Sequence, residues 1–432
     1  MKRTFGKVMA AGVSLAMCMS LLSGCVKRID VTKYELPTEA AKSDIKLDPI
    51  DGISDDFIRG MDASSVIVEE NSGVKFYDFD DKEQDVIKTL AESGVNYLRI
   101  RVWNDPYDKD GNGYGGGNND VEKAIELGTR ATKYGMKVNI DFHYSDFWAD
   151  PKKQYAPKAW ADMDISEKSD ALYDFTKKSL SKILDAGVNV GMVQIGNEIN
   201  HGMCGETSID NVATLLKSGS RAVREISEKY KKDIKVTIHF TDLETYYKVN
   251  KYVKMLADKG LDYDILGLSY YPYWHDDIDN MKKALENLKE ATGKEVCIVE
   301  TAYPYTSEDG DGSGNSVKGT DDICDGYPAS VQGQASMIHD ICKAANEGGA
   351  LGVFYWEGTW IPVGPASDKE NNSKLWEKYG SGWASSYASD YDPKDAGKYY
   401  GGCSWENQAM FDFEGHPLES LKVFEYLRYG TK

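Results

Sequence analysis

Val193-Gln194-Ile195-Gly196-Asn197-Glu198-Ile199 is the stretch from which the rest of the chain is read. Apolar residues alternate with small or polar ones, the pattern of a buried strand. The run breaks at its C-terminal end into an Asn-Glu pair. A carboxylate at a strand end, beside an amide that can hydrogen-bond a hydroxyl, suits the cleavage of sugar linkages, and that chemistry needs a second carboxylate on another strand. Val296-Cys297-Ile298-Val299-Glu300-Thr301 places Glu300 in the same setting.

Outward from these two runs, short apolar stretches alternate with longer amphipathic ones. Strands are predicted at 57–63, 97–103, 137–143, 191–197, 235–240, 265–270, 295–300 and 351–356. Helical periodicity covers 80–93, 120–134, 166–186, 208–230, 243–258, 278–291 and 329–346, with a last segment at 416–428. Gly94, Gly135, Gly187, Gly260, Gly293 and Gly348 follow six of them, the usual helix C-terminal signal. Eight strand–helix alternations predict an α/β chain closed into a (β/α)8 TIM barrel. The connections at 303–327 and 358–415 are unusually long and follow strands seven and eight. They belong on the C-terminal face, where such barrels keep their active sites. The second carries Trp360, Trp376, Trp383 and Trp405, which marks it as ordered and functional.

The 432 residues include 28 Tyr and 9 Trp, flat apolar surfaces with a polar handle. A formal net charge of -19 excludes nucleic acid as a partner and suits a neutral ligand, although solubility alone accounts for it equally well. Met1-Lys2-Arg3 and Lys7 precede an apolar run at 8–22 and then Leu22-Ser23-Gly24-Cys25, which resembles the lipobox of bacterial lipoproteins. The expected organisation is a signal peptide at 1–24, a lipidated Cys25, a flexible tether over 25–53 and a catalytic domain over 54–432. Lipid anchoring at the extracellular face of a bacterial membrane follows from it, and a monomer is the expected state. Cys204, Cys297, Cys324, Cys342 and Cys403 show no metal or disulfide spacing, and Cys297 reads as a core residue.

Each predicted strand ends in groups that can carry chemistry: Asp62; Arg99 and Arg101; Asp141 and His143; Asn197 and Glu198; His239; Ser269, Tyr270 and Tyr271; Glu300; Trp356 and Glu357. Of two paired carboxylates, one must be protonated to donate to a leaving oxygen and the other charged, to attack or to activate water. A lone strand-end Glu also serves as a structural ion-pair partner. Only one of Arg99 and Arg101 is expected to face inward. His143 and His239 lack a second His at metal spacing and read as hydrogen-bonding residues. Trp356 offers a flat face to a sugar ring.

Gly60-Met61-Asp62-Ala63-Ser64, Leu98-Arg99-Ile100-Arg101-Val102-Trp103-Asn104, Asp141-Phe142-His143-Tyr144-Ser145-Asp146, Gln194-Ile195-Gly196-Asn197-Glu198 and Val299-Glu300-Thr301-Ala302-Tyr303-Pro304 together resemble glycoside hydrolase family 53, the endo-β-1,4-galactanases of clan A. The resemblance implies a (β/α)8 barrel and a retaining double displacement on β-1,4-galactan. It makes Glu198 the acid/base and Glu300 the nucleophile, and sets Asn197 on the sugar 2-hydroxyl. Arg99 or Arg101 and His143 would line the cleavage subsite, Tyr270 or Tyr271 would steady the nucleophile, and Trp356 would form the floor. Another clan A glycanase, cutting mannan or glucan, would use the same two carboxylates. A non-catalytic glycan-binding lipoprotein would need neither.

Asp309-Gly310-Asp311-Gly312-Ser313-Gly314-Asn315 puts oxygen-bearing side chains at every second position. It resembles a calcium loop but not an EF-hand, because the twelfth position is Thr320. The family resemblance implies a structural Ca2+ between the loops after strands seven and eight, held by Asp309, Asp311 and Asn315. Ser313 stands where a His is expected, and Cys403 (through its carbonyl) and Glu406 are further candidates. A flexible Gly/Asp loop without metal is the alternative.

Overall fold

The computed structural model describes residues 26–320, 322–394, 396 and 401–432. The signal segment and Cys25 lie outside the described residues. Eight strands form one closed parallel barrel in sequence order: β1 (Ile58–Asp62), β2 (Tyr97–Val102), β3 (Lys137–Phe142), β4 (Val190–Ile195), β5 (Lys235–Phe240), β6 (Ile265–Ser269), β7 (Glu295–Glu300) and β8 (Gly352–Tyr355). β1 pairs with both β2 and β8, which closes the ring. Every predicted strand is present, with ends shifted by at most two residues.

The predicted helices follow as α2 (Val86–Glu92), α3 (Val121–Lys133), α4 (Ile165–Asp185), α5 (Ile209–Tyr230), α6 (Tyr246–Asp258), α7 (Ile278–Thr292) and α8 (Val331–Glu347). Side-chain caps start several of them. The Asp120 carboxylate accepts from Lys123 N, and Asp164 and Glu167 form a reciprocal capping box. Two helices escaped the periodicity. α1 (Val66–Ser72) has seven residues, too few to display an apolar stripe, and α9 (Lys369–Tyr379) is a polar segment inside the long last loop, anchored by buried Trp376. The helix expected at 416–428 is a 3-10 turn at Glu419–Lys422 followed by a four-residue helix, Val423–Tyr426. None of the described helices is long and apolar enough to cross a membrane.

Strand alternation divides the core. Leu98, Ile100, Val138, Ile140, Val193 and Ile195 point out of the barrel into the layer shared with the helices. Ile58, Tyr97, Met192, Ile265, Cys297, Val299 and Phe354 fill the lower interior as a separate apolar plug. Above the plug the inward positions turn polar: Arg99, Asp141, Gln194, His239 and Ser269 are all at most 1% exposed. Burying so many polar groups is tolerable only where they satisfy one another. Cys204, Cys297, Cys324, Cys342 and Cys403 are free thiols.

Residues 26–53 depart from the expected tether. They run as an extended strap beneath the barrel. Lys27 N donates to Asp185 O at the end of α4, Thr32 N to Lys133 O at the end of α3, and Ile50 N to Leu427 O. Gly187 makes the first contact possible: its φ of 91° is a left-handed conformation that favours glycine, and a Cβ there would sit 2.2 Å from Lys27 O. Ile45, Leu47, Ile50 and Ile53 are buried in the main core. Their wide spacing among charged residues hid them, because the strap has no periodicity of its own.

If the strap is part of the folded core, Leu47→Ala should lower unfolding free energy by about 3 kcal/mol, the usual cost of such a cavity. Urea denaturation measures this, and an unchanged midpoint would return the segment to the status of a tether.

Candidate active site

Arg99 organises the upper barrel. From the middle of β2 its guanidinium reaches Asp62 Oδ2 on β1 (3.0 Å), Asp141 Oδ2 on β3 (2.8 Å) and Glu300 Oε1 on β7 (2.9 Å). It also donates to Gln194 Oε1 (3.3 Å) and Asn197 Oδ1 (3.1 Å). Three carboxylates on one cation hold Arg99 firmly charged, its pKa above the usual range despite burial. Arg99 and Arg101 are two residues apart on one strand and therefore share a face. Both are buried inward, contrary to the expectation that only one would be.

Glu300 reaches the interior through an irregularity. Cys297 and Val299 belong to the inner plug and Ile298 to the outer layer, so simple alternation would turn Glu300 outward. The β6–β7 register shifts by one residue between Leu268 and Ser269, pairing Ser269 with Glu300. Such slips re-aim side chains near active sites. Tyr271 OH donates to Glu300 Oε2 (3.0 Å) while Arg99 holds Oε1. Tyr270 leaves β6 on the opposite side and donates to Asp276 O (3.0 Å), so of the two expected tyrosines only Tyr271 meets the carboxylate.

Glu198 lies past the end of β4 with a left-handed backbone, φ 45°. A left-handed non-glycine residue costs about 1–2 kcal/mol and is found where the surroundings impose it. Gly196 before it is also left-handed, at φ 87°, and a Cβ there would come within 2.8 Å of Ile199 and Met203. The carboxylate accepts from Ser269 Oγ (2.7 Å) and has no cation partner among the described residues. Burial, and then the negative charge of Glu300, push its pKa well up. Burial raises the Glu300 carboxyl too, but Arg99 and the Tyr271 hydroxyl pull it back. Two carboxylates with unequal surroundings, one cation-paired and one not, are equipped as a charged nucleophile and a protonated acid.

The remaining predicted residues sort around this pair. Asn197 Nδ2 donates to Ala149 O (2.9 Å) while its oxygen faces Arg99. His143 receives Trp103 Nε1–H at Nδ1 (3.2 Å), which leaves Nε2–H for Asp141 Oδ2 (2.9 Å). It buttresses the Arg99 network and is only 3% exposed. Arg101 pairs not with Glu300 but with buried Glu357 (2.8 Å), and stacks over Trp148 at 4.3 Å. Trp356 follows β8 directly and meets Trp405 edge-on at 4.8 Å. Beside it Trp148, Trp383 and Trp360 stack in near-parallel, with centroid distances of 4.6 Å for the first two and 5.9 Å for the last two. Gln194, Ser269 and Trp148 carry parts of the site that sequence reasoning left without a role. Polar residues inside otherwise apolar strands were the available signal.

On the rim, Asp309, Asp311 and Glu406 bring carboxylate oxygens within 4.8 Å of one another, joining the loops after β7 and β8. Ser313 Oγ donates to Asp311 Oδ1 (2.6 Å), and Asn315 Nδ2 to Glu308 O (2.8 Å). Asn315 Oδ1 and Glu406 Oε2 are buried without a hydrogen-bond partner. Burial, and then the Asp311 charge, push the Glu406 carboxyl up to about 9. Three carboxylates closing on one point, one of them with an orphaned oxygen, fit a calcium ion.

The family model described as "Glycosyl hydrolase family 53" matches residues 58–424. The chain is 50% identical over 432 residues to the "Endo-beta-1,4-galactanase" of Bacillus subtilis, covering 100% of this chain and 99% of that protein. It is 36% identical to the "Arabinogalactan endo-beta-1,4-galactanase" of Cellvibrio japonicus, over 72% of this chain and 83% of the relative. Among solved structures, the Ignisphaera aggregans GH53 catalytic domain superposes with a TM-score of 0.78 at 38% identity, covering 89% of this chain and 99% of that one.

The raised Glu198 pKa has a measurable sign. The folded state holds this proton more tightly than the unfolded chain, so the associated stability is complete below the unfolded carboxyl pKa and is lost as pH rises through the folded one. Glu198→Gln should therefore melt higher than the parent at alkaline pH, with the gap closing towards pH 4. A gap independent of pH would contradict the assignment.

Proposed function

Because the chain belongs to glycosyl hydrolase family 53, we propose that its cleft hydrolyses internal β-1,4-galactosidic bonds of galactan and type I arabinogalactan with retention of configuration. The observation that carries this reading is the unequal carboxylate pair at the barrel mouth. Glu300, fixed by Arg99 and Tyr271, attacks the anomeric carbon while Glu198 gives its proton to the departing oxygen. Glu198, then ionised, takes a proton from water, which cleaves the glycosyl-enzyme and frees Glu300. Arg99 favours the ionised form of Glu300 against the burial that raises its pKa, and the aromatic wall of Trp356 and Trp148 supplies flat surfaces for sugar rings. The relatives named as endo-galactanases, one of them matched along its whole length, support galactan as the substrate.

Asp309, Asp311 and Glu406, with Asn315 Oδ1, would hold a calcium ion. Bound there, calcium would neutralise the clustered carboxylates and tie the two long loops together. The lipobox-like Leu22-Ser23-Gly24-Cys25 supports attachment of a monomeric enzyme to the outer face of the cell membrane, where it would release oligosaccharides close to the cell.

Incubation with linear β-1,4-galactan, mannan and a soluble cellulose derivative tests the substrate. Galacto-oligosaccharides from the first alone are expected, and Glu300→Ala should reduce their release by at least about a thousandfold while galactan still binds. Activity confined to mannan or cellulose, or a Glu300→Ala variant of normal rate, would reject the reading. For the metal, chelation should lower the thermal midpoint and added calcium restore it. A midpoint indifferent to both would remove calcium from the description.

A further inference from the structure

Behind Glu198 stands a pair of buried groups that the two-carboxylate scheme does not use. His239 lies one residue before the end of β5 and Ser269 ends β6, both with no exposure. His239 Nε2 lies 2.8 Å from Ser269 Oγ, and Ser269 Oγ lies 2.7 Å from Glu198 Oε1. The direction of this chain depends on which ring nitrogen carries the proton. Burial and the neighbouring Arg99 charge keep the imidazole neutral, so it carries one proton only. Two donors converge on Nδ1. One is the Glu198 backbone N–H (3.3 Å), which can do nothing but donate. The other is the Gln194 amide nitrogen (3.1 Å), whose orientation is set because Gln194 Oε1 receives Arg99 and its Nε2 also serves Asp141 (2.6 Å). The remaining neighbour, Asn197 Oδ1 at 2.9 Å from Nδ1, is an acceptor already supplied by Arg99. Nδ1 is therefore the accepting nitrogen, and the ring proton sits on Nε2, directed at Ser269 Oγ.

From this geometry we infer that His239 and Ser269 are positioning residues which fix the catalytic proton of Glu198 on Oε2. Ser269 has one hydroxyl proton. With its oxygen receiving Nε2–H, that proton goes to Glu198 Oε1 and makes Oε1 an obligate acceptor. Only Oε2 is left to carry the acid proton, to deliver it to the leaving oxygen, and afterwards to take one from water. The same oxygen handles the proton in both half-reactions, and no exchange between the two oxygens is needed. The inference rests on the reading of Glu198 as the acid/base.

The test compares β-1,4-galactan with 2,4-dinitrophenyl β-galactobioside, whose leaving group departs without protonation. Ser269→Ala should lose about 10- to 100-fold in kcat/KM on galactan, with KM little changed, and less than about threefold in kcat/KM on the aryl glycoside, because kcat/KM reports the glycosyl-transfer step and not the deglycosylation common to both substrates. Its alkaline limb on galactan should move to higher pH, because the lost hydroxyl favoured ionised Glu198. Glu300, Asp150 and Asp242, the other charges acting on Glu198, stay in place. Ser269→Thr keeps the hydroxyl and His239→Gln keeps a donor towards it, so both should retain most of the galactan activity. In the full chain, nitrogen-15 NMR of labelled histidine should find the His239 proton on Nε2. A proton on Nδ1, or equal losses on both substrates for Ser269→Ala, would overturn the inference while leaving the acid assignment intact. Glu198→Gln serves as the control: undiminished galactan activity there would overturn the acid assignment itself.

Discussion

One buried guanidinium sets the terms for everything above the apolar plug. Arg99 brings a single positive charge to Asp62, Asp141 and Glu300, which carry three negative ones when ionised. In a low-dielectric interior such a group is stable only if the cation is wholly enclosed by acceptors and the acceptors keep their own hydrogen bonds. Strand register meets that demand. Asp62 pairs across to Arg99, and Asp141 to Gln194, so neighbouring strands hand their side chains to the same centre. Removing the cation would strand three carboxylates at once, a far larger disturbance than the loss of one surface ion pair. Glu300 is thus held by the same network that makes the barrel's upper half tolerable, and the setting of this carboxylate is not separable from stability there.

The difference between the two glutamates has a simple origin. Both are buried, and burial alone would keep both protonated. Arg99 and Tyr271 reach only Glu300. Glu198, turned out of its strand by two left-handed residues, Gly196 and Glu198 itself, meets the neutral Ser269 hydroxyl instead. Backbone conformation therefore decides which carboxylate meets the cation, and through it which one keeps the proton.

The barrel was legible because its signals are local. Each strand is a short apolar run, and most helices close on a glycine. Glu198 and Glu300 were visible as polar interruptions at strand ends. Parity should also have placed Arg99 and Arg101 on one face, since residues two apart cannot point in opposite directions. Their division of labour, Arg99 to Glu300 and Arg101 to Glu357, depends on long-range register and could not be read locally. The same holds for Glu300, which faces inward only because β7 slips against β6. The strap at 26–53 was hidden for another reason. Its four buried apolar residues are spaced by the shape of the surface they cover, not by any helix or strand period. Glu406 could be named among the calcium candidates, but only the fold brings it from the last long loop to Asp309 and Asp311.

The strap has a temporal consequence. Ala41 bridges to Thr431, Thr431 N donates to Leu47 O, and β1 hydrogen-bonds to β8. The segments at 41–47 and β1 are thus completed by the last ones described. During synthesis on a ribosome, β1 keeps an open edge until Gly352–Tyr355 has emerged, and Ile45, Leu47 and Ile50 lack part of their cover until the residues around Leu427 and Thr431 are free. A nascent chain of this design cannot finish folding in the order in which it is made. It must carry an unpaired strand edge and bare apolar side chains through nearly its whole translation, the state in which parallel sheets are most prone to aggregate. Such a chain is suited to being kept unfolded, and then released, as a complete polypeptide.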